Sequence, residues 1–413
     1  MEENQVHIPE GWILEDLGNL IKEKRKSSLK VSDAANFGEL PFFTSGESVL
    51  QHTNKQLDGK NIFLATGGVA NIKYYQGDAA YSTDTYAITT KDEIDTEYLY
   101  FDLQNILYYI NANYFQGSGL KHLQKKDFKK HQILFPKSKT EQTQIATILS
   151  KVDEAITKTE QLIAKYTRIK TGLMQDLLTK GIDENGNIRS EETHEFKDSA
   201  LGRIPKEWEC EMLGDIFDLR TGITPLRANS LFFAHEGYNW IKTLDLNEGY
   251  LFESEEKITD YALNKTAIKL RPTGTILIAM YGGWQQIGRT SILKTEAATN
   301  QALTALINPK IKIDSDFLQL FLQQNRWRWK QYAVSTRKDP NITKNDIEKF
   351  YVLYPKNEAE QNIVASKILL AKGLAEEHSR NLSKLQSLKT GLMQDLLSGK
   401  VRVNHLIKET ESV

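Results

Sequence analysis

The stretch Lys170-Thr-Gly-Leu-Met-Gln-Asp-Leu-Leu-Thr179 returns almost letter for letter as Lys389-Thr-Gly-Leu-Met-Gln-Asp-Leu-Leu-Ser398. The copies stand about 219 residues apart and need no gap for some distance upstream. At that offset Pro136 becomes Pro355, Glu141-Gln142 becomes Glu360-Gln361, Asp127 becomes Asp346, and Tyr98-Leu99 becomes Phe317-Leu318. Each half also opens alike, with Ile8-Pro9-Glu10-Gly11-Trp12 and Leu17-Gly18 against Ile204-Pro205-Lys206-Glu207-Trp208 and Leu213-Gly214. The openings lie about 196 residues apart, so the second copy is about 23 residues longer in its front part. The chain is therefore two tandem copies of one plan. Such a chain is expected to present two similar surfaces related by an approximate twofold, suited to a target or partner that itself comes in two halves.

With 413 residues the chain has room for two or three domains with proper cores. Cys210 is the single cysteine, which excludes a disulfide within the chain and a cysteine metal cluster. No apolar run approaches the roughly 20 residues that span a bilayer, so no membrane partner is expected. The start, with Glu2, Glu3 and Asn4, is acidic and polar rather than a signal peptide, and a cytoplasmic location is expected. A net charge of -1 argues against a histone-like mass binder but leaves room for local basic faces.

Each half divides into a variable front piece and a long helical back piece. The expected boundaries are a front domain at 1–137, a long helix at 138–180, a polar linker at 181–200, a second front domain at 201–356, a second long helix at 357–399 and a tail at 400–413. In the front pieces Asn61-Ile-Phe-Leu-Ala65 reads as a strand running into Thr66-Gly67-Gly68, and Gly274-Thr-Ile-Leu-Ile-Ala-Met280 as a strand running into Tyr281-Gly282-Gly283. Glycine pairs after a strand permit positive φ and close approach by another molecule; an ordinary turn is the alternative. Asp95–Gln104 and Asp314–Gln323 read as helices, each with an Asx or hydroxyl cap ahead of an apolar face.

In the first back piece the apolar steps of four and three run Ile145, Leu149, Val152, Ile156, Thr159, Ile163, Tyr166, Lys170, Leu173, Leu177. In the second they run Val364, Ile368, Ala371, Ala375, His378, Leu382, Leu385, Lys389, Leu392, Leu396. One helix alone cannot bury such a stripe, and the simplest partner is its own repeat, packed antiparallel.

No catalytic set is present. There is no Walker or dinucleotide glycine loop, no His-Glu-x-x-His and no Gly-x-Ser-x-Gly. The eight histidines are scattered without metal-ligand spacing, and the Asn-Pro-Pro-Tyr/Phe tetrapeptide of amino-methyltransferases is missing.

Several front segments carry the chemistry of nucleic-acid contact. Lys22, Lys24, Arg25 and Lys26 form a basic cluster, and Gln116, Ser118 and Lys121 sit in a glycine-broken run before further lysines. The second copy has Arg227, then Arg326 and Arg328 in Arg326-Trp-Arg-Trp-Lys330, and Arg337, Lys338 and Asn341 after Ser335. Lysine and arginine engage phosphates and give affinity without sequence information. Base edges are read by Arg, Asn, Gln, Ser and Thr held on loops. The turns after the two strands offer Asn71 and Lys73 in one copy and Trp284, Gln285, Gln286 and Arg289 in the other, with Thr83-Asp84 and Thr299-Asn300-Gln301 as matched polar positions. A solvated loop with ordinary surface charge is the alternative for each residue taken singly.

The paired Ile-Pro-x-x-Trp openings, the Pro-x(4)-Glu-Gln starts of the long helices and the doubled Lys-Thr-Gly-Leu-Met-Gln-Asp-Leu-Leu resemble the specificity (S) subunit of type I restriction–modification systems over essentially the whole chain. The resemblance implies α/β (α+β) target recognition domains in two tandem copies, separated by two long helices forming an antiparallel coiled coil, with a pseudo-twofold. It implies a non-catalytic subunit that binds an asymmetric bipartite site on double-stranded DNA, one half per domain, with the coiled coil setting the spacer. Two methyltransferase subunits would dock on it and motor/nuclease subunits would complete the complex. S-adenosylmethionine, ATP and Mg would then belong to those partners, and the chain itself would hold no cofactor and no metal. Ile145, Leu149, Val152, Ile156, Leu382 and Leu385 are the expected coiled-coil seam. Gly172, Leu173, Met174 and Gln175, with Gly391, Leu392, Met393 and Gln394, match the shared helix, with a partner-docking or an internal packing role. A specificity subunit of another modular phage-defence system and a coiled-coil protein scaffold are the competing readings. A stand-alone methyltransferase is opposed by the missing cofactor loop.

Overall fold

The structure, a computed structural model, describes residues 8–333 and 340–406. The chain forms two compact units, one of residues 1–161 with 378–413 and one of residues 162–377. Each holds one front domain, the first half of one long helix and the second half of the other.

The first unit is built on a four-stranded antiparallel sheet, in the order Ile21–Glu23, Thr85–Thr90, Lys60–Ala65, Ile72–Gln76. Ile62, Leu64, Tyr86 and Ile88 leave this sheet on one face and meet Tyr98, Leu99 and Phe101 of the helix Thr96–Asn105 in one core. The helix starts where expected because Asp95 caps it, accepting from the backbone N–H groups of Glu97 and Tyr98.

The second unit has a five-stranded sheet in the order Asp218–Thr221, Leu303–Ile307, Ile276–Ala279, Thr290–Leu293, Tyr250–Leu251. Its pairing of Ile276 with Leu306 and Ala279 with Leu303 matches that of Ile62 with Ile88 and Ala65 with Thr85. A second, four-stranded sheet packs through Phe232, Trp240 and Ile258, and its parallel pairing of Tyr238–Ile241 with Ala297–Thr299 matches that of Leu40–Phe43 with Ala80–Tyr81 in the first unit. The helix Ser315–Gln324 is capped by Asp314, as its counterpart is by Asp95.

The repeated motifs meet in space. The opening tryptophans lie on strands that pair with the strands leading into the long helices, Trp12 opposite Pro136 and Trp208 opposite Pro355. The long helices run Lys139–Leu177 and Glu358–Leu397. In the first unit Glu141 meets Arg402, Ile145 and Leu149 share a core with Met393 and Leu396, and Asp153 pairs with Lys389 at 2.6 Å. In the second, Val364 and Ile368 share a core with Met174 and Leu177. Rising numbers on one helix meet falling numbers on the other, so the pairing is antiparallel in each unit.

The segment read as a polar linker is ordered. Ile182 pairs with Ile188, Phe196–Ser199 forms a hairpin with Gly202–Pro205, and Arg189 is buried. The buried Ile182 and Arg189 tie this segment to the unit, which its polar composition conceals.

Candidate nucleic-acid interface

In the first unit the strand Lys60–Ala65 ends in a turn whose Gly68 has φ +83°. A second loop is hydrogen-bonded to it: Gly68 N–H donates to Lys121 O at 2.9 Å and Leu123 N–H to Thr66 O at 3.0 Å. This loop turns at Gly117 (φ +148°), where an added Cβ would stand 2.6 Å from Leu120 O. The exposed Gln116, Ser118 and Lys121 are therefore brought to the glycine turn. Beside Thr66 opens a polar cavity of about 280 Å³ lined by Lys24, Lys26, Thr83, Thr85 and Lys125 among others. Lys125 Nζ stands 4.1 Å from the centre of the Tyr86 ring, and burial holds its pKa below the usual lysine range.

Other expected contacts are placed differently. Lys73 Nζ donates to Asn71 Oδ1 at 2.9 Å and to Thr44 O at 3.3 Å, and burial lowers its pKa. Asn71 and Lys73 thus brace the neighbouring loop from behind the turn. Lys22 pairs with Thr89, at the end of the sheet away from the turn. Arg25 is exposed, and its carbonyl accepts from the Tyr81 hydroxyl.

In the second unit the matched turn carries Gly282 (φ +108°) and Gly283 (φ +72°), with Trp284 47 % exposed at its tip. Gln285 is exposed, and Gln286 Oε1 accepts from Arg289 Nη1 at 3.0 Å. Asn341 joins them, because the next residue, Ile342, donates its N–H to Met280 O at 3.0 Å. Gly288 (φ +71°) lies so close to Trp329 that a Cβ would stand 2.1 Å from the indole.

The arginines expected here take structural places. Arg326 donates from Nε to Ile287 O at 2.9 Å and from Nη1 to Glu248 Oε1 at 2.7 Å, holding the turn from beneath. Burial lowers its pKa. Arg328 is only 6 % exposed, donates to Tyr351 O at 3.0 Å and lies over the Phe350 ring. The guanidinium of Arg328 is thus consumed by packing and a backbone carbonyl, which corrects the expectation from composition. Arg227 is ion-paired with Glu256 and lies over Phe233 and Trp240 on the smaller sheet. Arg337 and Lys338 lie outside the described residues.

On the helices Ile145 and Leu149 are core residues, and Val152, Ile156, Leu382 and Leu385 are half-buried. Met174 and Met393 are buried, with Leu173 and Leu392 packed at their edges. Gln175 and Gln394 face solvent, and a Cβ at Gly172 or Gly391 would meet nothing within 4 Å. The repeated sequence thus combines internal packing with an open face. Next to it in the second unit, Tyr166, Ile169, Leu173, Leu370 and Leu374 line a shallow apolar groove of about 310 Å³, with Leu370 66 % exposed.

The sequence reading missed what the Glu-Gln pairs do. Gln142 Nε2 donates to Pro136 O (2.7 Å) and Glu93 O (3.0 Å), and its Oε1 accepts from Asp95 N–H (2.6 Å). Gln361 repeats this with Pro355 O (2.8 Å), Lys312 O (3.3 Å) and Asp314 N–H (2.6 Å). Glu141 accepts from Arg402 at 2.6 and 2.8 Å. Glu360 accepts from Arg189 at 2.5 and 3.0 Å and from Trp208 Nε1 at 3.1 Å. The recurrence of both residues at one offset was the available signal.

Among the described residues no group of His, Cys, Asp and Glu is placed to hold a metal, and no helix is long and apolar enough to cross a membrane. The profile of the family described as "Type I restriction modification DNA specificity domain" matches residues 9–167 and 205–369. The chain is 25 % identical to the type I restriction enzyme MjaVIII specificity subunit of Methanocaldococcus jannaschii over 98 % of this chain and 96 % of that one. It is 27 % identical to the EcoDI specificity subunit of Escherichia coli, over 86 % and 80 %. The crystal structure of the type I restriction–modification S subunit from M. genitalium shares the fold, with a TM-score of 0.65 at 18 % identity and coverage of 96 % and 97 %. With both tandem copies matched, the chain belongs to the family of type I restriction–modification specificity subunits.

Proposed function

We propose that each front domain reads one half of an asymmetric, bipartite site on double-stranded DNA, and that the chain carries no reaction of its own. One observation carries this reading: the same strand-to-turn frame, with its glycines, occurs in both units but presents different side chains. The first offers Lys24, Lys26, Gln116, Ser118 and Lys121, and the second Trp284, Gln285, Gln286, Arg289 and Asn341. Lysines of the first face suit phosphates, while the amides and Arg289 suit base edges in the major groove. The long helices would hold the two readers at a set separation, which a flexible connection could not do. Two methyltransferase subunits would dock on the open face of the shared helix and the groove beside it, bringing S-adenosylmethionine. Motor/nuclease subunits would bring ATP and Mg.

The test is methylome sequencing of cells expressing this chain with its methyltransferase, beside cells lacking it. A new asymmetric two-part motif, with methyladenine on both strands, is expected. No new methylation despite a stable complex would overturn the reading in favour of a scaffold or another defence partner.

A further inference from the structure

Resting on the DNA-recognition reading above, we infer that the first unit reads the C5-methyl group of a thymine with an aliphatic pair, Val69 and Leu120. Val69 is 73 % exposed and Leu120 65 % exposed. They stand on the tips of two different loops, and the backbone joins those tips. Gly68, next to Val69, donates to the carbonyl of Lys121, next to Leu120. Gly67 pairs with His122, and a Cβ at Gly67 would stand 3.7 Å from Leu120 Cδ2. The N–H of Ala70, on the other side of Val69, donates to Asn111 Oδ1 at 2.8 Å. The apolar pair is therefore held in place on a fixed backbone while lying outside the core.

The surroundings select the occupant. Lys121 adjoins the pair, and Thr66, one residue before Gly67, lines the cavity that also holds Lys24, Lys26 and Lys125. A lysine-rimmed tip favours a polyanion over an apolar protein surface. Within the major groove the apolar feature on the base edges is the thymine methyl, which aliphatic side chains contact. Burying Val69 and Leu120 against it removes apolar surface from water on both partners. The second unit carries Trp284 at the matched turn, so its half-site is read by a different group.

The experiment measures binding of the complete chain with its methyltransferase to duplexes carrying the methylated motif. Each thymine in turn is replaced by deoxyuridine, which lacks the methyl and keeps the hydrogen bonds. At least one replacement, confined to one half-site, is expected to weaken binding roughly fourfold. The variants Val69→Ala and Leu120→Ala, and the isosteric Val69→Thr, should erase that penalty and leave any penalty in the other half-site unchanged. The inference is overturned if no deoxyuridine penalty depends on these residues. It is also overturned if the variants lose the methyltransferase while keeping the penalty, which would make the tips a protein contact. If the unaltered complex fails to distinguish the motif from a scrambled duplex, the DNA-recognition reading falls and takes this inference with it.

Discussion

At the scale of single residues, charge alone does not reveal what a cation does. Lys24 and Lys26 line an open polar cavity beside the glycine turn, whereas Arg328 donates to Tyr351 O from a buried position. The two classes should separate experimentally. Lys24→Ala and Lys26→Ala are each expected to weaken DNA binding evenly across sequences and to lower the slope of log K against log salt by about 1, in a salt titration of the complex. Arg328→Ala should instead lower the urea midpoint of the chain, because Tyr351 O loses its donor and the Phe350 face its cover. Basic side chains near turns can be picked out from residue type and turn chemistry. Their division cannot, because the Tyr351 carbonyl and Glu248 that occupy Arg328 and Arg326 come from distant segments.

At the scale of elements, the long helices were legible from their heptad stripes, and the strand-to-glycine turns from short apolar bursts. The latches that seat the helices were not. The residue that clamps Glu360 lies 171 positions away, a distance no local pattern spans. Gln361 is fully buried and joins three backbone groups of two other segments. Gln361→Ala would strand those groups, at a cost of about 1–3 kcal/mol. Urea unfolding followed by tryptophan fluorescence should show the second unit losing its transition first, and Gln142→Ala should do the same to the first unit. An unchanged midpoint in both variants would remove the latch from the account of stability.

At the scale of the whole molecule, duplication was visible at once, but the composition of each unit was not. The repeat boundaries suggest two consecutive blocks, yet each compact unit draws on both long helices. Modularity of the front domains survives this interleaving when an exchanged segment keeps the backbone groups that Gln142 grips at Glu93 and Asp95. Exchange of residues 22–135 for the corresponding segment of a relative should change one half of the methylated motif only, as read by methylome sequencing, and a change in both halves would count against modular reading. The interleaving also sets a schedule for synthesis. Glu141 waits for Arg402, 261 positions later, and Ile145 and Leu149 wait for Met393 and Leu396. At about 5–20 residues per second a ribosome needs roughly 13–50 seconds to cover that distance. Through that interval the part of the first long helix before residue 162 keeps its apolar stripe unsealed, while residues 162–377, which hold the rest of that helix, form a continuous block that can close before it. A nascent chain with that stripe open would suit a holding chaperone, and its yield in a cell would then depend on what shields the stripe until the partner helix is made.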